Sequence, residues 1–273
     1  AGDVVGRHAS LAVRGTGERE NHRLAGENVR RLHGVAHRPN PRIAGAHAGI
    51  HFNPAGGADF QTRLAAVGLD YPHAEWIQGA DEVRRIALLS RFPITARHSC
   101  SRVPVELNGR FFEMCRGILD VTVQVTPVST LRLVGLHLKS QRDVPEYDEA
   151  KFRARESIAV RAHLDAIMKE TPDLDLLVFG DLNDSKNAFA VREILGPLKS
   201  PMALRDLRLK DQWGLTWTHH WAEADIYSRL DYLLVSHSLW RKVNLTRSGI
   251  HFSPEWSQAS DHRAIYTQIS FPE

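Results

Sequence analysis

Cysteine is nearly absent from this chain. Its 273 residues hold two, Cys100 and Cys115. A structural zinc site takes four Cys/His ligands at close spacing, and no such cluster occurs. The pair leaves two readings open: one disulfide in an oxidising compartment, or two thiols. Long apolar runs are also missing. None reaches the roughly 20 residues of a membrane helix, so no membrane span is expected. Nor is there a large excess of one charge. Lys and Arg number 35 against 32 Asp and Glu, a formal +3 with a pI near 9.0. That balance permits a polyanionic partner without demanding one. The chain opens Ala1-Gly2-Asp3, with neither an initiator Met nor a signal-peptide apolar region. A removed leader or a fragment is expected, and the compartment stays open.

What is present is ordinary for a soluble globular protein: 42% hydrophobic and 25% charged residues. The length suits one large domain or two small ones, and a monomer is expected. The chain divides near residue 56. Residues 1–55 are rich in Arg, His, Gly and Ala and show no strand pattern, so they read as an atypical N-terminal segment. Residues 56–273 carry regular signals. Ile86–Ser90 is a short apolar run stopped by Pro93. Leu119, Val121, Val123 and Val125 alternate with polar residues, the period of a half-buried strand. Leu131–Leu138 follows at hairpin distance. Pro145–Glu170 reads as a helix with Phe152, Ala159, Ala162 and Ala166 on its apolar face. Leu174–Phe179 is a strand buried on both faces, and Leu230–Val235 and Ala264–Ile269 are later strands. Strands outnumber helices, which predicts an α/β (α+β) fold of two packed sheets with helices outside.

The chemistry-bearing residues sit at strand ends. Gly180-Asp181-Leu182-Asn183 closes the buried strand. Asp181 offers a hard oxygen for Mg²⁺, and Asn183 offers an amide for a water or a phosphate oxygen. By composition alone the same residues read as a polar turn. His137 ends its strand and could donate to an oxyanion. Asp231 stands at the mouth of Asp231-Tyr232-Leu233-Leu234-Val235. In Ser260-Asp261-His262, acid and imidazole can reach one phosphate only from a loop. The histidine then needs an orienting carboxylate, and Asp231 is the candidate.

Taken in order, these segments resemble the endonuclease/exonuclease/phosphatase superfamily over roughly residues 56–271. The matching stretches are Ala87-Leu88-Leu89-Ser90-Arg91-Phe92-Pro93-Ile94, His137-Leu138-Lys139-Ser140, Gly180-Asp181-Leu182-Asn183-Asp184, Tyr227-Ser228-Arg229-Leu230-Asp231-Tyr232 and Ser260-Asp261-His262. The resemblance implies a four-layered sandwich of two mixed sheets flanked by helices. It implies a Mg²⁺- or Mn²⁺-dependent hydrolase of phosphodiesters, with nucleic acid the favoured substrate. A lipid-headgroup or small-ester phosphatase and a catalytically dead binding domain are the alternatives. By motif, His137 polarises the phosphate, Asp181 orients the attacking water and also ligates metal, and Asn183 fixes water or phosphate. Asp261 is a metal ligand, and His262 pairs with Asp231. Arg116 and Lys139 would add positive field at the substrate. The Trp213–Trp221 stretch could stack bases, although core and turn are its plainer role.

The family also carries an Asn on its first strand and a metal-binding Glu after an apolar strand. Here Asn53-Pro54-Ala55 stands where the Glu belongs, and Asn28 matches the first element faintly. Three accounts follow: a shifted reading frame before residue 56; a divergent terminus using Glu18, Glu20 or Glu27; or a lost metal site. If the stretch is genuine, two central strands are expected to be missing or disordered.

Overall fold

The computed structural model describes residues 7–13, 43–50 and 54–272. Two six-stranded mixed sheets form its centre. The first runs, in spatial order, β15 (Val243–Ile250), β16 (Ile265–Phe271), β1 (Arg7–Val13), β2 (Ile43–Ile50), β4 (Arg85–Ser90) and β3 (His73–Ile77). The second runs β11 (Arg205–Asp206), β14 (Asp231–Val235), β10 (Leu176–Asp181), β9 (Ser129–His137), β8 (Leu119–Thr126) and β5 (Ile94–Arg97). Two hairpins stand apart, β6 (Pro104–Leu107) with β7 (Arg110–Glu113), and β12 (His219–Trp221) with β13 (Ile226–Ser228).

The apolar pattern explains the layers. Along β10, Leu177 and Phe179 enter the core between the sheets. Leu176 and Val178 point the other way, into a second core. A period of two with both faces apolar is what a doubly covered strand requires. The second core is roofed by α2 (Glu149–Glu170) and α3 (Phe189–Leu195) through Phe152, Val160, Leu164, Val191 and Ile194. On the far side of the first sheet, Leu64 of α1 (Pro54–Ala66) packs with Leu69, Tyr71 and Leu89. Helix, sheet, sheet, helix is the four-layered sandwich expected. Two short helices, α4 (His237–Trp240) and α5 (Trp256–Ala259), complete the fold.

Three expectations need correction. First, strands do occur before residue 56. β1 pairs antiparallel with β16 and parallel with β2, and β2 pairs antiparallel with β4. The two strands are neither missing nor disordered, and α1 spans the boundary read at residue 56. Ala-Gly-rich β2 carries little intrinsic strand preference, so long-range pairing decides its state. Second, α2 starts at Glu149, because Asp148 caps it by accepting the Lys151 N–H at 2.9 Å. Third, its buried face is not the alanine stripe. Phe152, Arg153, Glu156, Ser157, Val160, Arg161, Leu164 and Met168 are buried, while Ala162 and Ala166 are exposed. Both cysteines are free thiols, each partly buried, which resolves that pair against a disulfide.

One buried ion cluster ties α2 to the second sheet. Asp120 on β8 is wholly buried. It accepts from Arg132 NH2 at 2.7 Å and faces His163 Nε2 at 2.8 Å. Burial alone would raise its carboxyl, but the hydrogen bonds and charges of His163 and Arg132 hold it below the usual range. A depressed carboxyl stabilises the fold above its unfolded value, about 3.9, and the gain is lost as pH falls through the folded value. Arg132→Met removes one of the two side-chain partners of Asp120, leaving His163, and is expected to cost about 1–3 kcal/mol at pH 7. Urea unfolding checks it, and the gap from the parent should narrow at about pH 3 as Asp120 protonates.

Candidate active site

The strand register assembles the site. Asp181 at the end of β10 lies beside His137 at the end of parallel β9, and opposite Asp231 at the start of antiparallel β14. All three share parity with residues of the inter-sheet core: Leu133 with His137, Phe179 with Asp181, Leu233 with Asp231. One row of side chains therefore crosses the mouth of the space between the sheets. The other sheet supplies the lid. The loop between α5 and β16 carries Asp261 and His262, folded back where Ser260 Oγ accepts the His262 N–H at 3.0 Å.

His262 Nδ1 sits 2.8 Å from Asp231 Oδ2, and its Nε2 lies 3.9 Å from Asp181 Oδ2. His137 Nε2 approaches the same Asp181 oxygen at 3.7 Å. Two imidazoles thus approach one carboxylate oxygen, at separations beyond direct hydrogen-bond distance. Burial raises the Asp181 carboxyl toward about 7 against the pull of the His262 charge. Burial would lower His262, but the Asp231 carboxylate outweighs it, with help from Asp181 and Asp261, and holds the imidazole at about 10. Asp231 is fixed in turn. Its N–H and that of Leu230 both donate to Thr218 Oγ1, at 3.1 and 3.0 Å.

Asn183 explains why this sequence reads as a turn. It has φ of 51°, and its N–H donates to Asp181 Oδ1 at 2.8 Å. That is an aspartate turn in a conformation asparagine tolerates. The turn is real, and it aims the two side chains. Asn183 Nδ2 donates to Leu138 O at 3.0 Å and to Asp181 Oδ2 at 3.2 Å. The acceptor Oδ1 is the end left for a ligand.

The structure brings His137, Asp181, Asn183, Asp231, Asp261 and His262 to one place. Arg116 and Lys139 stand just behind it, and the Arg116 charge pulls the Asp181 carboxyl down against burial. Arg116 is buried, donating to Leu138 O at 3.1 Å and pairing with Asp81 at 3.1 Å. Lys139 Nζ donates to the carbonyls of Ser140 and Arg142, at 3.1 and 2.8 Å. Both cations shape loops behind the site. Asn28, Asn53, Glu18, Glu20 and Glu27 lie outside the described residues, so no position is assigned to the family's Asn or Glu.

His219 was not foreseen. It forms an isolated bridge with His262, the two rings lie 4.6 Å apart, and its Nε2 is 3.8 Å from Asp261. No local spacing announces it, because β12 meets the 260–262 loop only in three dimensions. Among the described residues, His219, Asp261 and His262 each present a ligand atom within 4.8 Å of one another. Of the tryptophan stretch, Trp217 packs face-on against the buried Arg263 guanidinium at 3.4 Å, while Trp213 and Trp221 are exposed.

The sequence profile of the endonuclease/exonuclease/phosphatase family matches residues 32–262. The chain belongs to that family. No curated protein sequence matches it significantly. Among solved structures it resembles an endonuclease/exonuclease/phosphatase family protein from Leptotrichia buccalis, at 16% identity and a TM-score of 0.64, over 96% of this chain and 100% of that one. It also resembles the human nocturnin catalytic domain, at 13% identity and a TM-score of 0.64, over 98% and 96%. A third is the 3′ phosphatase NExo from Neisseria bound to a product DNA hairpin, at 14% and 0.60, over 96% and 99%. Such identities establish a shared fold. The family match identifies the chain as a hydrolase of phosphoric esters.

Proposed function

We propose that the chain is a divalent-metal-dependent phosphodiesterase acting on nucleic acid, and that residues 7–272 work as one catalytic unit. The observation that carries this is the row His137–Asp181–Asp231 across three paired strands, closed by His262 from the opposite sheet. Hydrolysis of a phosphodiester needs a placed water, a proton acceptor, and donors for the equatorial oxygens and the leaving oxygen. The row offers a candidate group for each of these roles.

The residues also fit a cation. Asp261 Oδ1 is buried with no hydrogen-bond partner, and Asp181 adds a second hard oxygen. Asp261 and Asp181 would hold Mg²⁺ or Mn²⁺, with His219 as a neighbouring nitrogen donor. Such an ion, when bound, supplies charge compensation to the phosphate oxygens. His137 donates to a non-bridging oxygen. Asn183 Oδ1 accepts from the attacking water, and Asp181 takes the water's proton as its oxygen bonds to phosphorus. His262, kept protonated by Asp231, gives its proton to the leaving oxygen as the phosphorus–oxygen bond breaks. Nucleic acid is favoured by the basic balance of the chain and by the DNA product carried by the NExo relative.

The test offers plasmid DNA, bis-p-nitrophenyl phosphate and p-nitrophenyl phosphate, each with Mg²⁺, Mn²⁺ or EDTA. Metal-dependent nicking of plasmid and cleavage of the diester are expected, with the monoester much slower. Preference for the monoester would replace the reading with a phosphatase. Inertness of the folded protein toward all three would replace it with a binding domain.

A further inference from the structure

The buried face of α2 carries three charged residues, Arg153, Glu156 and Arg161, where apolar ones would pack at least as stably; the first two face the site. Glu156 is fully buried, and its carboxylate meets no arginine or lysine side chain within ion-pair distance among the described residues. Its two oxygens accept backbone N–H groups instead: Cys115 at 2.8 Å and Lys139 at 2.6 Å. One helical turn earlier, Arg153 NH1 donates to Lys139 O at 3.1 Å, and its Nε to Asp184 Oδ2 at 3.1 Å. Lys139 is thus held at both ends of its backbone from one helix.

The segment so held joins the two catalytic loops. Leu138 O accepts from Asn183 Nδ2 and Arg116, while Leu138 N donates to Asp181 O at 3.0 Å. Gln141 Nε2 donates to Asn183 O at 3.0 Å. His137 immediately precedes this knot, and Asp184 immediately follows Asn183. We infer that Glu156 and Arg153 are positioning residues: together they clamp the 138–140 segment to the 181–184 turn and so set the placement of His137 against Asp181 and Asn183. The inference rests on the phosphodiesterase reading for its catalytic consequence, but not for its geometry.

The experiment compares Glu156→Gln and Arg153→Lys with Val160→Ala, a cavity at a fully buried apolar position on the same helix. Gln turns an acceptor oxygen into a donor facing an N–H. Lys keeps the charge but lacks the planar fork that reaches both partners. Hydrogen exchange and bis-p-nitrophenyl phosphate kinetics are both read. In the two clamp variants, exchange at 137–141 and 181–185 should quicken beyond that in Val160→Ala. Their kcat should fall about 10- to 100-fold from misplacement of the reacting groups, with KM within about threefold. Val160→Ala should lower the unfolding midpoint and leave kcat near the parent's. Clamp variants matching Val160→Ala in both readouts would overturn the inference. If the parent cleaves nothing, the phosphodiesterase reading fails, and the exchange comparison alone decides the clamp.

Discussion

Asp231→Asn should slow plasmid nicking by about 10²- to 10⁴-fold, the range for loss of a general acid. The substitution keeps size and an acceptor oxygen, and it leaves the Thr218 contacts to the backbone of residues 230 and 231 intact. It removes the negative charge 2.8 Å from His262 Nδ1. That charge is the main influence raising the imidazole against burial, so without it His262 becomes neutral in a lower pH range. The proton for the leaving oxygen is then missing. The substrate dependence separates this role from mere scaffolding. A DNA alkoxide needs protonation, whereas p-nitrophenolate leaves readily without it. The loss should therefore be markedly smaller on bis-p-nitrophenyl phosphate. Equal losses on both substrates would instead assign His262 to contact with the phosphate.

Gly180→Ala should cost more than about 4 kcal/mol, in the range reserved for gross backbone conflict. Gly180 has φ of 136°, which side chains strongly disfavour, and a methyl there would fall 1.9 Å from Leu136 O. That carbonyl belongs to β9, whose pairing sets His137 beside Asp181. Neither partner is a flexible side-chain tip, so β9 and β10 must separate. Thermal unfolding should show a large fall in midpoint, and soluble yield should drop. Ala at Gly109, where φ is 75° but nothing lies within 4 Å, should cost far less. A mild Gly180→Ala would show that the close approach of these strands is not required.

The second sheet was legible because its strands obey one simple rule. Leu174–Phe179 is near-continuous, matching two-sided burial, whereas the alternation of Leu119–Val125 marked a strand but not its half-burial: α2 covers the polar face too, and Asp120 on it is wholly buried. Strand ends then announced His137, Asp181 and Asp231, since polar residues closing an apolar run lie at a sheet's edge. What could not be read depends on long-range pairing. β1 and β2 owe their state to β16 and β4, far away in the chain. His219 reaches His262 only through a bridge between β12 and the 260–262 loop. The face of α2 was misread because alanines were counted as its apolar stripe, while the buried Arg153 and Glu156 carry no apolar signal. Their burial follows from backbone partners on other elements, which no helical period reveals.

The most direct test of the central claim is the initial rate of bis-p-nitrophenyl phosphate cleavage by the parent and by Asp181→Asn, each with Mg²⁺ and with EDTA. Asp181 stands at the centre of the row, with both imidazoles directed at it. The account predicts Mg²⁺-dependent turnover by the parent, abolished by EDTA, and a loss of at least about 10²-fold in Asp181→Asn with the fold intact. Turnover that survives both EDTA and Asp181→Asn would contradict it.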